Sequence, residues 1–254
     1  MSDVIVITHC AASKRVSPAT RCCLRSHSHL SREERVVSWW TSLSTARDRR
    51  PASDIYCGAH WSEAMEIGAA AMGSGITSDL WVASAGYGLI HSDQPIVSYS
   101  ATFNPNTIDS ISAHKSGSGW ELERRWWRDL ARMDLPRNHL APRTITDLAI
   151  RNPRSLMIVS VPPAYLGAME DDLLLASLTL RPGLLWILCS GDGPIAPRLQ
   201  ACWRPLRKSM CSHLGYPVTT LQARAVKYLV GSTDYCRAAI DDKPVPTVLI
   251  PDSV

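Results

Sequence analysis

Within five residues near its amino end the chain carries a thiol, a hydroxyl and an ammonium, in the segment His9-Cys10-Ala11-Ala12-Ser13-Lys14. Held at one end of a sheet, Cys10, Ser13 and Lys14 suit a phosphate or a planar polar ligand, and the ammonium favours the thiolate form that makes Cys10 a nucleophile. The plainer reading is that Cys10 is a small packed residue and Lys14 is solvated. A second cluster, Tyr56-Cys57-Gly58-Ala59-His60-Trp61, stands at a helix start. The amides around Cys57 and Gly58 would hold an anion there and Trp61 would stack on a base, against the alternative of a core tryptophan beside a capping turn. In a third, Ser84-Ala85-Gly86-Tyr87-Gly88-Leu89, Gly86 and Gly88 let a ligand approach the backbone next to Ser84. It matches neither the dinucleotide nor the nucleoside-triphosphate glycine pattern. The fourth, Cys189-Ser190-Gly191-Asp192-Gly193, brings a hydroxyl and a carboxylate to a strand end, Asp192 as a general base or as half of an ordinary Asp-Gly turn.

The elements that must position these groups follow from hydrophobic patterning. Asp3–Thr8, Asp79–Ser84, Leu156–Val161 and Leu184–Cys189 are short apolar runs that read as buried strands, with Thr247–Ile250 as a last one. Helices are expected over Ser31–Arg47, where Ser31 and Glu34 form a capping box, and over Trp61–Met72, Trp120–Met133, Tyr165–Leu180 and Thr219–Val230. Ile55–Gly58 reads as extended, Pro95–Pro105 as a loop, and the Gly86–Gly88 turn as a binding loop at a sheet edge. Nearly all-apolar strands separated by helices predict one α/β domain over 1–254, a mostly parallel or mixed sheet covered by helices on both faces.

At 254 residues, 45 % hydrophobic and 20 % charged, the chain is neither disordered nor low in complexity. Eight cysteines without a CxxC pair fit a reduced protein, no apolar run approaches a membrane span, and Asp3 interrupts a signal-peptide reading, so the expected compartment is the cytoplasm. Cys22, Cys23, His27 and His29 lie close in sequence but at no common zinc spacing, and neither metal nor cofactor is expected. The motifs of zinc proteases, zinc deaminases and serine hydrolases are absent. The net charge of +4 is unevenly spread: no acid interrupts Lys14, Arg15, Arg21, Arg25 and Arg32, or Arg198, Arg204, Arg207, Lys208, Arg224 and Lys227. Folded onto one face, these segments would bind phosphates. Arg124, Arg125 and Arg128 would do so less well, since Glu121, Glu123 and Asp129 partly cancel them, and the pairs Trp39/Trp40 and Trp126/Trp127 read as core.

Several fragments occur in the order of a known superfamily. The loop with Cys10, Ser13 and Lys14, then DIYCGAHWSEA (Asp54–Ala64), LWVASAGYGLI (Leu80–Ile90), PIVSYSATF (Pro95–Phe103) and LGYPVTTLQARAVKYLV (Leu214–Val230) resemble the YaaA-like proteins. Gln222 stands where asparagine is usual, and about 104–154 does not match and reads as a helical insertion. That superfamily includes DNA-binding members and the core of archaeosine synthase, which acts on the nitrile of 7-cyano-7-deazaguanine in RNA. The resemblance implies an enzyme hydrating that nitrile in DNA to the carboxamide, with modified DNA and other DNA-modification proteins as partners and no membrane. Cys10, or else Cys57 or Cys189, would form a thioimidate, or Asp192 would activate water. Lys14 would stabilise the thiolate or bind a phosphate, and Tyr87 and Tyr99 would donate a proton. Trp61 would stack on an extruded base, with Ser13, Cys57, Gly58, Ser84, Gly86, Gly88 and Ser190 around it. Arg15, Arg21, Arg25, Arg204, Arg207, Lys208 and Arg224 would hold the DNA. The alternatives are a DNA-binding or stress-response protein without chemistry, and a base transglycosylase or glycosidase with Asp192 as its carboxylate.

Overall fold

The computed structural model describes residues 2–113, 120–134, 141–191, 196–232, 234–246 and 249–251. The β-branched run at the amino end forms β1 (Val4–His9), whose first five residues are fully buried, so both faces of this strand are covered. The chain then builds α1 (Arg32–Thr45), β2 (Arg50–Pro51), α2 (Ala52–Ile55), α3 (Ala59–Met65) and α4 (Ile67–Gly73) before β3 (Ser78–Ser84) pairs in parallel with β1. A tight turn returns it as β4 (Gly88–His91), antiparallel to β3, and β5 (Pro95–Ile96) pairs with β2 in a separate ribbon. After α5 (Glu121–Ala131) and α6 (Ile145–Arg151) the chain crosses to the other side of β1 as β6 (Leu156–Ser160). It continues outward through α7 (Pro163–Thr179), β7 (Leu185–Cys189), α8 (Pro197–Gln200) and β8 (Trp203–Pro205), and ends in α9 (Cys211–Leu214), α10 (Leu221–Gly231) and α11 (Asp234–Ile240).

The six-stranded sheet has the order β4-β3-β1-β6-β7-β8, with β4 alone antiparallel, which is an α/β fold. Chain travel from β1 to β3 and from β6 to β7 runs in opposite directions. Right-handed crossovers therefore carry α3 and α4 onto one face and α7 onto the other. Packing agrees: α10 lies on α3 and α4, whereas α5 and α6 both lie on α7. The segment 104–154 thus adds Trp126, Trp127, Leu130, Ile145 and Leu148 to the same continuous core.

Local signals act as expected at α1, where Ser31 Oγ accepts from the Glu34 amide and the Glu34 carboxylate accepts from the Ser31 amide. Four sequence expectations are corrected. Residues 52–55, partly in the stretch read as extended, form the helical turn α2. The single helix expected over Trp61–Met72 is two short helices that meet at Glu66. The Gly86–Gly88 turn, at the end of parallel strand β3, closes the antiparallel β3–β4 hairpin instead of opening a binding loop, because the next segment pairs back immediately. Of the last expected strand, Thr247 and Val248 lie outside the described residues, while Leu249 and Ile250 are buried outside any strand. The short elements α6, α11 and β8 carry too few apolar positions for periodicity to reveal them.

Candidate functional site

In an open α/β sheet the connections leaving two adjacent strands in opposite directions open a crevice at their carboxyl ends. Here those strands are β1 and β6, and the crevice is a cleft of about 580 Å³. Its walls are the 9–13 loop after β1, residues 57–60 at the start of α3, Ala101, Thr102, Asn104 and Pro105, residues 162–165 at the start of α7, and Thr219.

Cys10 forms part of the floor, 4 % exposed, its amide bonded to the Ala83 carbonyl (3.0 Å) and its Sγ 3.2 Å from the Tyr165 hydroxyl. Pro163 in the first turn starts α7 with a ring whose missing N–H costs nothing there, and this places Tyr165 over the thiol. Lys14 donates to the carbonyls of Ala11 and Ala12 (both 3.3 Å) and sits 4.4 Å from the centroid of the Tyr99 ring. Burial pulls its pKa down, against the Cys10 and Cys57 thiols and Asp109, which push it up. Behind the loop, Ser84 Oγ accepts from the amides of Gly86 (3.2 Å) and Tyr87 (3.0 Å), which leaves its hydrogen for the Tyr99 oxygen (2.6 Å). Tyr99 is in turn 2.9 Å from the Tyr56 hydroxyl. Burial raises the pKa of Tyr56, Tyr99 and Tyr165, so all three are neutral phenols.

The opposite wall is a pair of imidazoles. His9 and His60 stack with ring centroids 3.9 Å apart, and His60 Nε2 is 3.0 Å from Thr8 Oγ1. Burial, then the neighbouring His60, drives the pKa of His9 well below its ordinary value, and burial pulls that of His60 down to about 4. Both rings are therefore neutral at pH 7, and each has a buried Nδ1 with no hydrogen-bond partner among the described residues. The cleft thus offers a thiol, a phenol and neutral imidazoles around a space of ligand size.

This chain matches no family model, no curated protein and no solved structure.

Of the residues singled out in the sequence, Cys10, Ser13, Cys57 and Gly58 line the cleft, with Lys14 and Tyr99 behind them. The others have different surroundings. Trp61 is buried, its Nε1 donating to the Ser53 carbonyl (3.1 Å) and its ring packed edge-on to Tyr56, so it has no free face for a base. Ser84 is buried beneath Tyr99. At Gly86 an added Cβ would lie 2.5 Å from the Tyr99 ring, so the glycine admits a side chain of this chain, not a ligand. Gly88, at φ 73°, faces Leu130 of α5. The Tyr87 hydroxyl is buried, accepts from the Val97 amide (3.1 Å) and does not line the cleft, and burial raises its pKa. Ser190 does not line the cleft, although an added Cβ on Gly191 would lie 3.8 Å from Pro163 at the rim, and Asp192 lies outside the described residues. Cys189 is buried, donates to the Ser190 carbonyl and is pushed up to about 12 by burial, which makes it inert at neutral pH.

Several of the expected DNA-binding cations have internal partners. Arg25 pairs with Asp109 (3.0 Å), Arg204 donates to the carbonyls of Ala201 and Trp203, and Arg224 binds Glu63 (2.8 Å) and the Tyr216 carbonyl. Arg15, Arg21, Arg207 and Lys208 are exposed. Burial raises the thiol pKa of Cys22 and Cys23, His27 is held by Ser38 and the Arg21 carbonyl, and among the described residues no group of three His, Cys, Asp or Glu could hold a metal ion. No described helix is long and apolar enough to cross a membrane. Sequence reading gave no role to His9, His60 or Tyr165. Each is ordinary in its local context, and only the strand end that joins them gives it a role.

Proposed function

We propose that the cleft is the active site of an enzyme that hydrates the nitrile of a 7-cyano-7-deazaguanine base in DNA, similar to the DpdC branch of the YaaA-like superfamily. The observation that carries this reading is the Cys10 thiol, 3.2 Å from the Tyr165 hydroxyl, on the floor of a cleft of about 580 Å³ at the switch point of the sheet. In the first step Cys10 sulfur bonds to the nitrile carbon and a proton passes to the nitrile nitrogen, giving a thioimidate. Tyr165 is placed to deliver that proton and is replenished from the thiol it contacts. Water then adds to the same carbon, one of its protons passing through a neutral imidazole of the His9–His60 pair to the imidate nitrogen; the C–S bond breaks and the remaining hydroxyl proton returns to the sulfur. Nitrile and water are thereby converted to carboxamide, and the thiol is regenerated. Lys14, with no carboxylate bonded to it among the described residues, supplies positive charge beside the thiol.

The described residues lining the cleft include no carboxylate, so they provide no nucleophile for the glycosidase alternative. Incubating the protein with DNA that carries the nitrile base, followed by digestion and nucleoside mass measurement, tests the reading. A gain of one water mass, abolished in Cys10→Ala and Cys10→Ser, is the expected result. Full conversion by both variants would remove the thioimidate route, and release of the free base would replace hydration by glycosidic cleavage.

A further inference from the structure

A second depression lies across the 101–113 loop from the cleft. Helices α1 and α5 enclose a trough of about 680 Å³ that runs on into a smaller pocket of about 180 Å³, with Arg32 lining both. The trough and the cleft are neighbours. Thr102, in the cleft wall, accepts at its carbonyl from the amide of Ile111 (3.0 Å), which lines the smaller pocket. Trp120, in the trough, packs against Gly167 of α7 so closely that an added Cβ would lie 2.5 Å from its ring, and Tyr165 of the cleft is on the same helix.

The charge in this trough is unevenly compensated. Arg124 is paired with Glu170, Arg125 with Glu121 (2.6 Å) and Arg132 with Asp129 (3.6 Å). Arg32, Arg35 and Arg128 make no ion pair among the described residues, and of the lining acids only Glu33 is equally free. Arg35 is the most telling of the three. It is 4 % exposed, its guanidinium donates to the carbonyls of Ile111 (3.0 Å) and Ser110 (3.3 Å), and its Nε has no partner. A guanidinium withdrawn from water without a counter-ion is unfavourable, and an anion entering the adjoining pocket relieves that cost. The planar arginine fork suits phosphate oxygens.

We propose that this trough binds the sugar–phosphate backbone of DNA beside the base held in the cleft. The inference rests on the proposed function for its choice of DNA. It moves the backbone contact from Arg15, Arg21, Arg25, Arg204, Arg207, Lys208 and Arg224 to Arg32 and Arg128, which the sequence had placed among its basic segments, and to Arg35, to which it gave no role.

Fluorescence anisotropy with a labelled, unmodified DNA oligonucleotide over a series of salt concentrations tests it. Arg32→Gln combined with Arg128→Gln alters two side chains that make no internal hydrogen bond among the described residues, so the fold is retained. The control, Arg151→Gln with Arg154→Gln, removes the same charge from exposed positions just before β6, at the opposite end of the sheet. The first pair is expected to weaken binding about tenfold and to lower the slope of log K against log salt by about 2, as two lost phosphate contacts require. The control is expected to change neither. Equal effects of the two pairs, unchanged binding by the first, absence of binding by the unaltered protein, or tighter binding of RNA of the same sequence would overturn the proposal. The oligonucleotide carries no nitrile, so the assay is independent of Cys10. A protein that binds through the trough but converts no nitrile sinks the proposed function alone.

Discussion

The two imidazoles at the end of β1 show how burial sets chemistry at single residues. His60 protonates in the folded protein only near pH 4, below its ordinary 6.5, because its ring is desolvated, and His9 is shifted the same way. The unfolded chain therefore takes up protons first as pH falls. Stability is fully present above about pH 6.5 and is lost on descent toward pH 4, by on the order of 3 kcal/mol at most for His60. Thermal melts from pH 7 to pH 4 should show this decline, and His60→Gln, which keeps a hydrogen-bonding group for Thr8, should flatten it. A melting temperature in the variant that falls as steeply as in the unaltered protein would show that the acid sensitivity resides elsewhere. His91 behaves oppositely: its bond to Asp79 (2.7 Å) raises its pKa. Its stabilising contribution is present below its unfolded pKa and fades as pH rises through the folded one.

At the scale of elements, the β3–β4 hairpin is the support on which the site loop rests. The Tyr99 ring lies directly on Gly86, while Ser84 fastens the Tyr99 hydroxyl and receives the amides of the turn. Trp39 of α1 and Trp126 of α5 reach the same turn, donating to the carbonyls of Gly86 and Ala85 (both 2.8 Å). Gly86→Ala would place a methyl 2.5 Å from ring carbons that have nowhere to retreat, so the Tyr56–Tyr99–Ser84 chain must open. The expected loss is about 2 kcal/mol in urea unfolding, within the range for overpacked cores. A variant as stable as the original would mean that the ring shifts freely. The glycine pattern that reads as a ligand loop in the sequence is thus explained by aromatic packing, because short-range sequence cannot tell whose ring approaches the backbone.

Over the whole molecule, the end of the chain returns to its beginning. Glu63 on α3 accepts from Arg224 (2.8 Å) and Lys227 on α10, which ties the last third of the chain to the helix that walls the cleft. Burial opposes ionisation of Glu63, but the bonds from Lys227 and Arg224 prevail and hold its pKa below the usual value. Glu63→Gln should cost about 1 kcal/mol at pH 7 and speed amide exchange in α10, with the difference from the original shrinking as acid titrates Glu63. Unchanged exchange would show that apolar packing alone holds α10. The β-branched and aliphatic runs that became β1, β3, β6 and β7, and the Ser31–Glu34 cap of α1, were determined by the sequence itself, because local sterics, burial of apolar runs and capping hydrogen bonds act over a few residues. The partners of Trp61, Arg224 and Gly86, the stacking of His9 on His60, the meeting of Cys10 with Tyr165 and the direction of β4 were decided only by the tertiary structure. The meeting of Cys10 with Tyr165 in particular depends on the strand order that sets β6 beside β1, and that order is chosen by the burial of the whole sheet and by crossover handedness, neither of which any short segment encodes.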